Sequence, residues 1–499
     1  MKPSRPLRPV RAAQLLTTLG TVIVLLAAAV SAPVSALAAA PYDHIANDTV
    51  WEDSSGNEIK AQGGNVFKFG STYYWVGASL QPQPDPNRSI NLYSSPDLEN
   101  WTFVKALLTQ TGSTGDLAVG KWMGRPQLGR NPTTGKYVLN FEVTGPTAGL
   151  GNALGFASSS TIDGTYTYHG SSIVNGYTIG DHSMFVEGPN AYLVYVGDNA
   201  TNRNVTMNVA PLGSNWLSVG PAISAIADTT HEAPGIVKVG STYYMFASGK
   251  NWWAPTATAY RTSTNLTNWS AWATVPTRPS SADSFATQFE QIIPVTGTSG
   301  TSYLFNGDRY SQFAGGSVPA PDGAGRNAWY PLTFAGGVPT LHGATGVNVN
   351  AAAGTLQWNP VANGRFDQTG AGPTVPQWPV TGTTDAVKTE ATTTSNRNKL
   401  TFWKNAAYIA SASQTVPLPN GTYKLQFSYR SSGGQNNASL KLKGHGGTDI
   451  TSDLTTATST WTTTTVTFTV TTGTVTLLAA ADSPASKWMN LDNISIWPN

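Results

Sequence analysis

Short aromatic runs with period-two alternation recur along the first 345 residues, each opening on a turn residue. Gly70-Ser71-Thr72-Tyr73-Tyr74-Trp75 and Gly240-Ser241-Thr242-Tyr243-Tyr244-Met245 are near duplicates. Gly135-Lys136-Tyr137-Val138-Leu139, Asn190-Ala191-Tyr192-Leu193-Val194 and Thr301-Ser302-Tyr303-Leu304-Phe305 are looser copies, spaced 50 to 65 residues apart. An apolar run precedes each copy, such as Asn65-Val66-Phe67-Lys68-Phe69 or Gly235-Ile236-Val237-Lys238-Val239. A run, a turn and a second run predict a β-hairpin. A second pattern follows most copies. Ser95-Pro96-Asp97-Leu98-Glu99-Asn100-Trp101 resembles Ser263-Thr264-Asn265-Leu266-Thr267-Asn268-Trp269, a polar turn that opens an outer strand on an aromatic.

Three or four strands per repeat, with aromatic punctuation, predict β-propeller blades. Five hairpins predict five blades over residues 41–345. A long β-sandwich or β-helix is the competing architecture. Residues 346–358 are rich in Gly, Ala and Asn and read as a linker. From 359 to 499 the chain again alternates at period two, as in Tyr423-Lys424-Leu425-Gln426-Phe427-Ser428-Tyr429. Some 140 residues of this kind predict a β-sandwich (jelly-roll) domain. The expected class is all-β: a five-bladed β-propeller followed by a β-sandwich.

The N-terminus departs from this pattern. Lys2, Arg5, Arg8 and Arg11 precede an apolar run from Leu15 to Val30, then Ala36-Leu37-Ala38-Ala39-Ala40. That order predicts a secretory signal peptide over residues 1–40 and a secreted protein. The other reading, a membrane anchor, is opposed by Thr17, Thr18, Gly20 and Thr21 within the run and by Pro33 after it. No other stretch approaches the ~20 apolar residues that span a bilayer. Removing the four basic residues leaves 25 Lys and Arg against 27 Asp and Glu, a net charge of −2. Nothing there suits nucleic acid or a membrane as a partner. Cysteine is absent, which excludes disulfides, thiolate nucleophiles and Cys-ligated metals.

Chemistry must therefore rest on carboxylates, histidines, amides and tyrosines. Charged residues are only 11% of the chain, so an acid beside an apolar strand is informative. Glu232 in His231-Glu232-Ala233-Pro234 stands at a strand entrance, and Asp181 in Gly180-Asp181-His182 occupies the corresponding place one repeat earlier. Turn or cap carboxylates are the bland alternative for both. Trp122, Trp252, Trp253 and Tyr310 are aromatic candidates for a ligand-binding wall, against a bland role in strand packing.

Several segments then fall in a telling order: Lys60-Ala61-Gln62-Gly63-Gly64-Asn65, the hairpin carrying Tyr74, Arg125-Pro126, His231-Glu232-Ala233-Pro234, Gln288 and Gly307-Asp308-Arg309-Tyr310. In this the first domain resembles glycoside hydrolase family 43, within it the exo-β-1,3-galactanase branch. The resemblance implies inverting hydrolysis, in which an acid protonates the leaving oxygen while a second group activates water on the opposite face. It implies Glu232 as general acid and Asp181 as the carboxylate that orients it and modulates its pKa. Gln288 stands in the base's place, positioning water or acting through an imidic acid tautomer. It further implies Gln62, Tyr74, Arg125, Trp253, Asp308 and Tyr310 as substrate-binding residues. The chain departs from the branch at Gln62, where His is usual, and at Gly124, where Glu is usual. Glu290 lies two residues beyond Gln288, and on a regular strand the two share a face, so Glu290 is an alternative base.

Residues Asn363-Gly364-Arg365-Phe366 through Leu491-Asp492-Asn493-Ile494-Ser495 resemble a galactose-binding-like carbohydrate-binding module. That implies sugar contacts from Trp403, Tyr408, Arg430, His445 and Trp488, although Trp403 and Trp488 also suit a core. No metal is expected in the catalytic site and no cofactor is required. A structural Ca²⁺ at Asp492 or Asn363 is an option, since hard oxygen ligands suit it. The expected protein is a monomeric, exo-acting hydrolase of β-1,3-galactan or arabinogalactan. An α-L-arabinofuranosidase or β-xylosidase of the same fold, and a catalytically weak sugar-binding propeller, remain alternatives.

Overall fold

A computed structural model describes residues 44–80, 88–146, 151–198, 205–310, 327–392 and 397–499. The expected signal peptide lies outside the described residues. The chain is all-β: among the described residues the one helical element is a single 3₁₀ turn, Thr384–Ala386.

The repeats form antiparallel meanders. The first runs Gln62–Phe69, Thr72–Ala78, Ser89–Ser95, Thr102–Thr109. The second runs Met123–Arg130, Tyr137–Thr144, Asn152–Ser159, Thr167–Ser172. The third runs Thr178–Glu187, Asn190–Asp198, Thr206–Pro211, Ser224–Ala227, and it touches the second through the pair Ile179 and Asn152. The fourth runs His231–Val239, Thr242–Gly249, Thr258–Ser263, Ala273–Thr274. The fifth runs Gln288–Gly297, Gly300–Asp308, Asn327–Ala335, Val338–His342, with Thr277–Arg278 added in parallel. Every aromatic run noted above is the second strand of a meander. Gly70 and Gly240 sit at φ +63° and +60° in the connecting turns, a backbone state open to glycine at no steric cost.

The first strand of each meander packs against the first strand of the next, and the fifth returns to the first. Side-chain amides tie these neighbours together. Asn65 both accepts from Leu128 N (2.8 Å) and donates to Leu128 O (3.0 Å). Gln291 does the same to Val66 N and O, at 2.7 and 2.9 Å. Gln127 Oε1 accepts from Met184 N at 3.3 Å. Asn65 and Gln291 each supply a donor and an acceptor, and Gln127 an acceptor, to strand edges that would otherwise be buried unpaired. Buried Trp75, Trp101 and Trp329, with the partly exposed Trp51, pack at 5.0 to 6.0 Å and join the first meander to the last.

The second repeated motif is a turn built by its own side chains. Ser95 Oγ accepts from Leu98 N (2.9 Å), Asp97 Oδ1 accepts from Asn100 N (2.8 Å), and Trp101 Nε1 donates to Leu98 O (3.1 Å). Asn265 Oδ1 and Trp269 Nε1 repeat the last two contacts with Asn268 N and Leu266 O. Local bonds of this kind hold Leu98 and Leu266 at positive φ.

Residues 346–358, expected as a linker, instead fold. Gly346–Asn350 and Thr355–Asn359 form a hairpin that pairs with Ile45–Ala46. Its Gly- and Asn-rich character serves the turn, and Val347 and Val349 are buried in the core shared with the first and fifth meanders.

Beyond it lie two five-stranded antiparallel sheets. One contains Tyr408–Pro417 and Thr474–Ser483; the other contains Gly421–Ser431 and Trp488–Pro498. Alternate residues of both, including Ala410, Leu425, Phe427, Leu477 and Leu491, enter one hydrophobic cluster.

Candidate active site

Each of the five first strands carries a β-bulge at the same depth. Pairing skips between Gln62 and Asn65, Gly124 and Gln127, Ile179 and His182, Glu232 and Gly235, and Phe289 and Gln291. The residues left unpaired include Arg125, Asp181, Ala233 and Glu290. Arg125 and Ala233 also hold positive φ, +43° and +55°. A bulge breaks the alternation and re-aims side chains, and non-glycine residues at positive φ store strain of the kind found at functional sites. The repeat thus turns five strand ends toward one place.

Four of the five line a cavity of about 330 Å³. Arg125, Asp181, Glu232, Gln288, Trp253 and Tyr310 line it together with Trp122 and Trp252. Asp181 Oδ1 accepts from Arg125 Nε at 2.7 Å, and its Oδ2 accepts from Ala233 N at 3.0 Å. Asp181 therefore clamps the residue next to Glu232. Glu232 Oε1 accepts from Asn251 N at 3.0 Å and from Gln288 Nε2 at 3.3 Å, while Gln288 Nε2 also donates to Trp252 O at 3.1 Å. Trp252 is 67% exposed. Trp253 bridges Trp122 (5.9 Å) and Tyr310 (5.1 Å) to form an aromatic wall.

Arg125 is the hub beneath the cavity. Nη1 reaches Glu290 Oε2 at 2.7 Å, and Nη2 reaches Glu290 Oε1 at 3.1 Å and, more loosely, Gln288 Oε1 at 3.5 Å. Burial lowers the pKa of this guanidinium, but Asp181 and Glu290 more than offset it, so Arg125 stays charged. Burial pushes Glu290 well above the ordinary carboxylate range against the pull of Arg125, with Asp308 and Asp181 adding to the rise. Burial likewise raises Asp308 to about 6, although Gly63 N and Tyr310 donate to it. Tyr310 OH stands 2.9 Å from both Glu290 Oε1 and Asp308 Oδ2. One hydroxyl proton cannot serve two carboxylates, so protonation of either acid completes this chain.

Four expected site residues fall outside the cavity wall. Glu290 is locked under Arg125, because the bulge at 290 breaks the shared face expected with Gln288. Gln62 is buried and donates to Arg309 O at 3.1 Å. Asp308 is buried against Gly63 N, Tyr310 and Asn327 and acts on the cavity only through Tyr310. Tyr74 pairs with Phe67 near the turn end of its hairpin and stacks on that ring at 5.8 Å, remote from Gln62 and Ala78 at the cavity end.

One acid was missed. Glu142 lines the cavity from the strand position facing Gly124. Its Oε2 accepts from Trp122 Nε1 (2.7 Å) and Asn152 Nδ2 (3.0 Å), and its Oε1 faces His182 Nδ1 at 3.5 Å. The signal was an acid inside the otherwise buried run Val138-Leu139-Asn140-Phe141-Glu142-Val143. Gly124 has no room for a side chain, since a Cβ would stand 2.5 Å from the Trp122 ring.

In the C-terminal sheets, Trp403 and Trp488 are direct cross-strand partners. Lys388 lies over Trp403 (5.7 Å) and Arg430 over Trp488 (5.8 Å), and Trp403 is 41% exposed. Tyr408 does not join them: it is a core residue whose hydroxyl donates to Lys487 O. His445 is also buried, between Thr469 O and Thr448 O. Asn363 is held within its loop: Oδ1 accepts from Gln368 N and Nδ2 donates to Pro376 O. Asp492 interacts electrostatically with buried Asp367, whose Oδ2 has no hydrogen-bond donor; burial raises Asp367 to about 8 and Asp492 to about 7. Among the described residues no group of three or more His, Asp or Glu converges as a metal site.

Residues 61–248 match the profile of the Glycosyl hydrolases family 43. The match spans Arg125, Asp181 and Glu232 and ends before Gln288, and it bears out the family resemblance read from the motifs. No curated protein matches the chain. An exo-β-1,3-galactanase from Phanerochaete chrysosporium, solved with β-1,3-galactotriose, superposes with a TM-score of 0.59 at 23% identity, covering 91% of this chain and all of that one. An exo-β-1,3-galactanase from Clostridium thermocellum gives 0.56 at 23%, covering 76% and 91%. A family 43 β-1,3-galactosidase solved with galactodeoxynojirimycin gives 0.51 at 26%, covering 60% and 98%.

Proposed function

We propose that this chain is a secreted, inverting, exo-acting galactan 1,3-β-galactosidase. Its five meanders act as a five-bladed propeller, and its two C-terminal sheets act as a sandwich that binds polysaccharide through Trp403, Trp488 and Arg430. The cycle of first-strand neighbours supports the propeller, and the single core drawn from both sheets supports the sandwich. Residues 1–40 direct export, on the charge and apolar pattern alone.

The observation that carries the reading is the meeting of Glu232, Asp181 and Gln288 on one aromatic-walled cavity. Glu232 is the general acid. Its Oε1 already accepts two N–H groups, so the transferable proton belongs on Oε2, which delivers it to the glycosidic oxygen. Asp181 acts by position: its bond to Ala233 N fixes the strained peptide that follows the acid. Gln288 orients the attacking water and, as its imidic acid tautomer, accepts on nitrogen the proton that the water releases. In inverting enzymes the two partners stand roughly 6.5–9.5 Å apart, yet Gln288 Nε2 rests 3.3 Å from Glu232 Oε1. The entering sugar therefore parts them, breaking the Gln288–Glu232 bond while Asn251 N stays on Glu232 and Trp252 O on Gln288. The scheme asks for no cofactor.

A panel of β-1,3-galactan, arabinan and xylan tests the activity. Release of galactose from β-1,3-galactan, lost in Glu232→Gln, supports it. Arabinose or xylose release instead assigns the site to a furanosidase or xylosidase. Sugar binding without turnover of any glycan reduces the chain to a binding protein.

A further inference from the structure

A second cavity, of about 340 Å³, shares no lining residue with the catalytic one. It is lined by the hairpin that replaces the expected linker and by the outer face of the sheet containing Gly421–Ser431 and Trp488–Pro498. Tyr423, Leu425 and Phe427 enter the core, so Gln426 and Ser428 point the other way. Gln426 lies opposite Ser495, and Ser428 opposite Thr463, with hydroxyls 3.2 Å apart. Trp497 lies two residues beyond Ser495, its ring 5.6 Å from that of His44. These groups make a polar floor beside an aromatic side.

Arg365 is the feature that needs a ligand. It enters from the loop anchored by buried Phe366. Among the described residues its guanidinium has no hydrogen-bond acceptor, and no carboxylate stands within ion-pair distance. The cavity lining contains no Asp or Glu. Burial, reinforced by Arg397, disfavours the charge, and Asp48, Asp492 and Asp367 offset it only in part. A half-buried guanidinium with five donors and no acceptor is costly unless an anion completes it. A water's share of liquid is about 30 Å³, so the volume admits a whole monosaccharide rather than a lone inorganic ion.

We propose that this cavity binds a uronic-acid unit of a glycan. Its carboxylate pairs with the Arg365 fork, the apolar C–H face of its ring rests on Trp497, and Gln426, Ser428 and Ser495 receive its hydroxyls. The site would hold the enzyme on chains that carry acidic sugars, independently of which bond the catalytic cavity cleaves.

Calorimetric titration of the full chain carrying Glu232→Gln tests this without turnover, using methyl β-D-glucuronide, methyl β-D-galactoside and acetate as probes. The expected result is saturable glucuronide binding, at least about tenfold tighter than the galactoside or acetate and weakened by a similar factor in Arg365→Gln. In the otherwise unaltered chain, Arg365→Gln leaves hydrolysis of an aryl galactoside unchanged. Equal binding of the galactoside, equal binding of acetate, absence of glucuronide binding, or full binding by Arg365→Gln each overturns the proposal. If Arg365→Gln fails to fold, the order of the three probes on the unmodified cavity decides the matter alone.

Discussion

Replacing Asp181 by Asn is the sharpest way to probe how the acid is positioned. The substitution keeps the volume but turns one carboxylate oxygen into an N–H donor. Both partners of Asp181, Arg125 Nε at 2.7 Å and Ala233 N at 3.0 Å, are themselves donors. Only one can keep an acceptor, so the other is orphaned in a nearly buried place. A lost bond to a charged group is worth about 1.5–3 kcal/mol, and the Asp181 side chain is 26% exposed, so about 1–2 kcal/mol of stability should be lost. Arg125 retains its two bonds to Glu290, which limits the damage. The effect on rate should be larger than the effect on stability. Release of Ala233 N lets the positive-φ peptide relax and moves Glu232, and displacement of a catalytic group by about 1 Å costs on the order of 10²-fold. Steady-state kinetics on β-1,3-galactobiose should show kcat down by roughly that factor, with KM nearly unchanged and the alkaline limb of the pH profile, which reports the general acid, displaced. An aryl galactoside with a good leaving group needs less proton donation and should be much less affected. Unchanged kcat, or an equal loss on both substrates, would refute the clamp.

Other consequences follow from the same contacts. Gln288→Ala removes the amide that faces the water and should cut kcat by about 10²-fold on both substrates, with Gln288→Glu recovering part of it; an active Gln288→Ala excludes the amide from the reaction. Trp252→Ala should raise KM for galactooligosaccharides by up to about tenfold, equivalent to roughly 1.4 kcal/mol of lost stacking, with no change in Tm because the ring is mostly exposed; Tyr74→Ala should leave KM alone. Asp367 and Asp492 have folded-state pKa values raised to about 8 and about 7 by burial. The folded state therefore holds protons that the unfolded state has released. Their stabilisation is complete below about pH 4 and is lost as pH rises toward 8, so Tm should fall over that window and Asp367→Asn should flatten the fall. Added Ca²⁺ should raise Tm at pH 8 if this pair holds a cation, and Asp367→Asn should abolish that rise; a flat profile in the unmodified chain contradicts both carboxyl assignments.

Much of the architecture was legible because it rests on local rules. Turn residues followed by alternating aromatics located all five hairpins, and Ser95–Trp101 and Ser263–Trp269 announced their turns through side chains that bond their own backbone. Motif order, which survives where spacing drifts, singled out Arg125, Asp181, Glu232, Gln288, Trp253 and Tyr310, and the structure gathers these six on one cavity. What failed was orientation. Face assignment from a period of two assumes an unbroken ladder, and the bulge at Glu290 sends that acid under Arg125 instead of into the cavity. Gln62 and Asp308 do not line the cavity because hydrogen bonds to residues some 245 positions away decide their direction. Glu142 was hidden because its partners Trp122 and Asn152 come from neighbouring segments. The hairpin over 346–359 was hidden because a two-residue strand 300 positions earlier, Ile45–Ala46, completes its sheet.

The central claim is that Glu232 donates a proton while water enters from the opposite face of a terminal β-linked galactose. Proton NMR during the first minutes of β-1,3-galactan hydrolysis reads it directly. The account predicts that α-galactose appears first and then mutarotates, and that Glu232→Gln releases none. Initial β-galactose, or galactose release that survives Glu232→Gln, would contradict it.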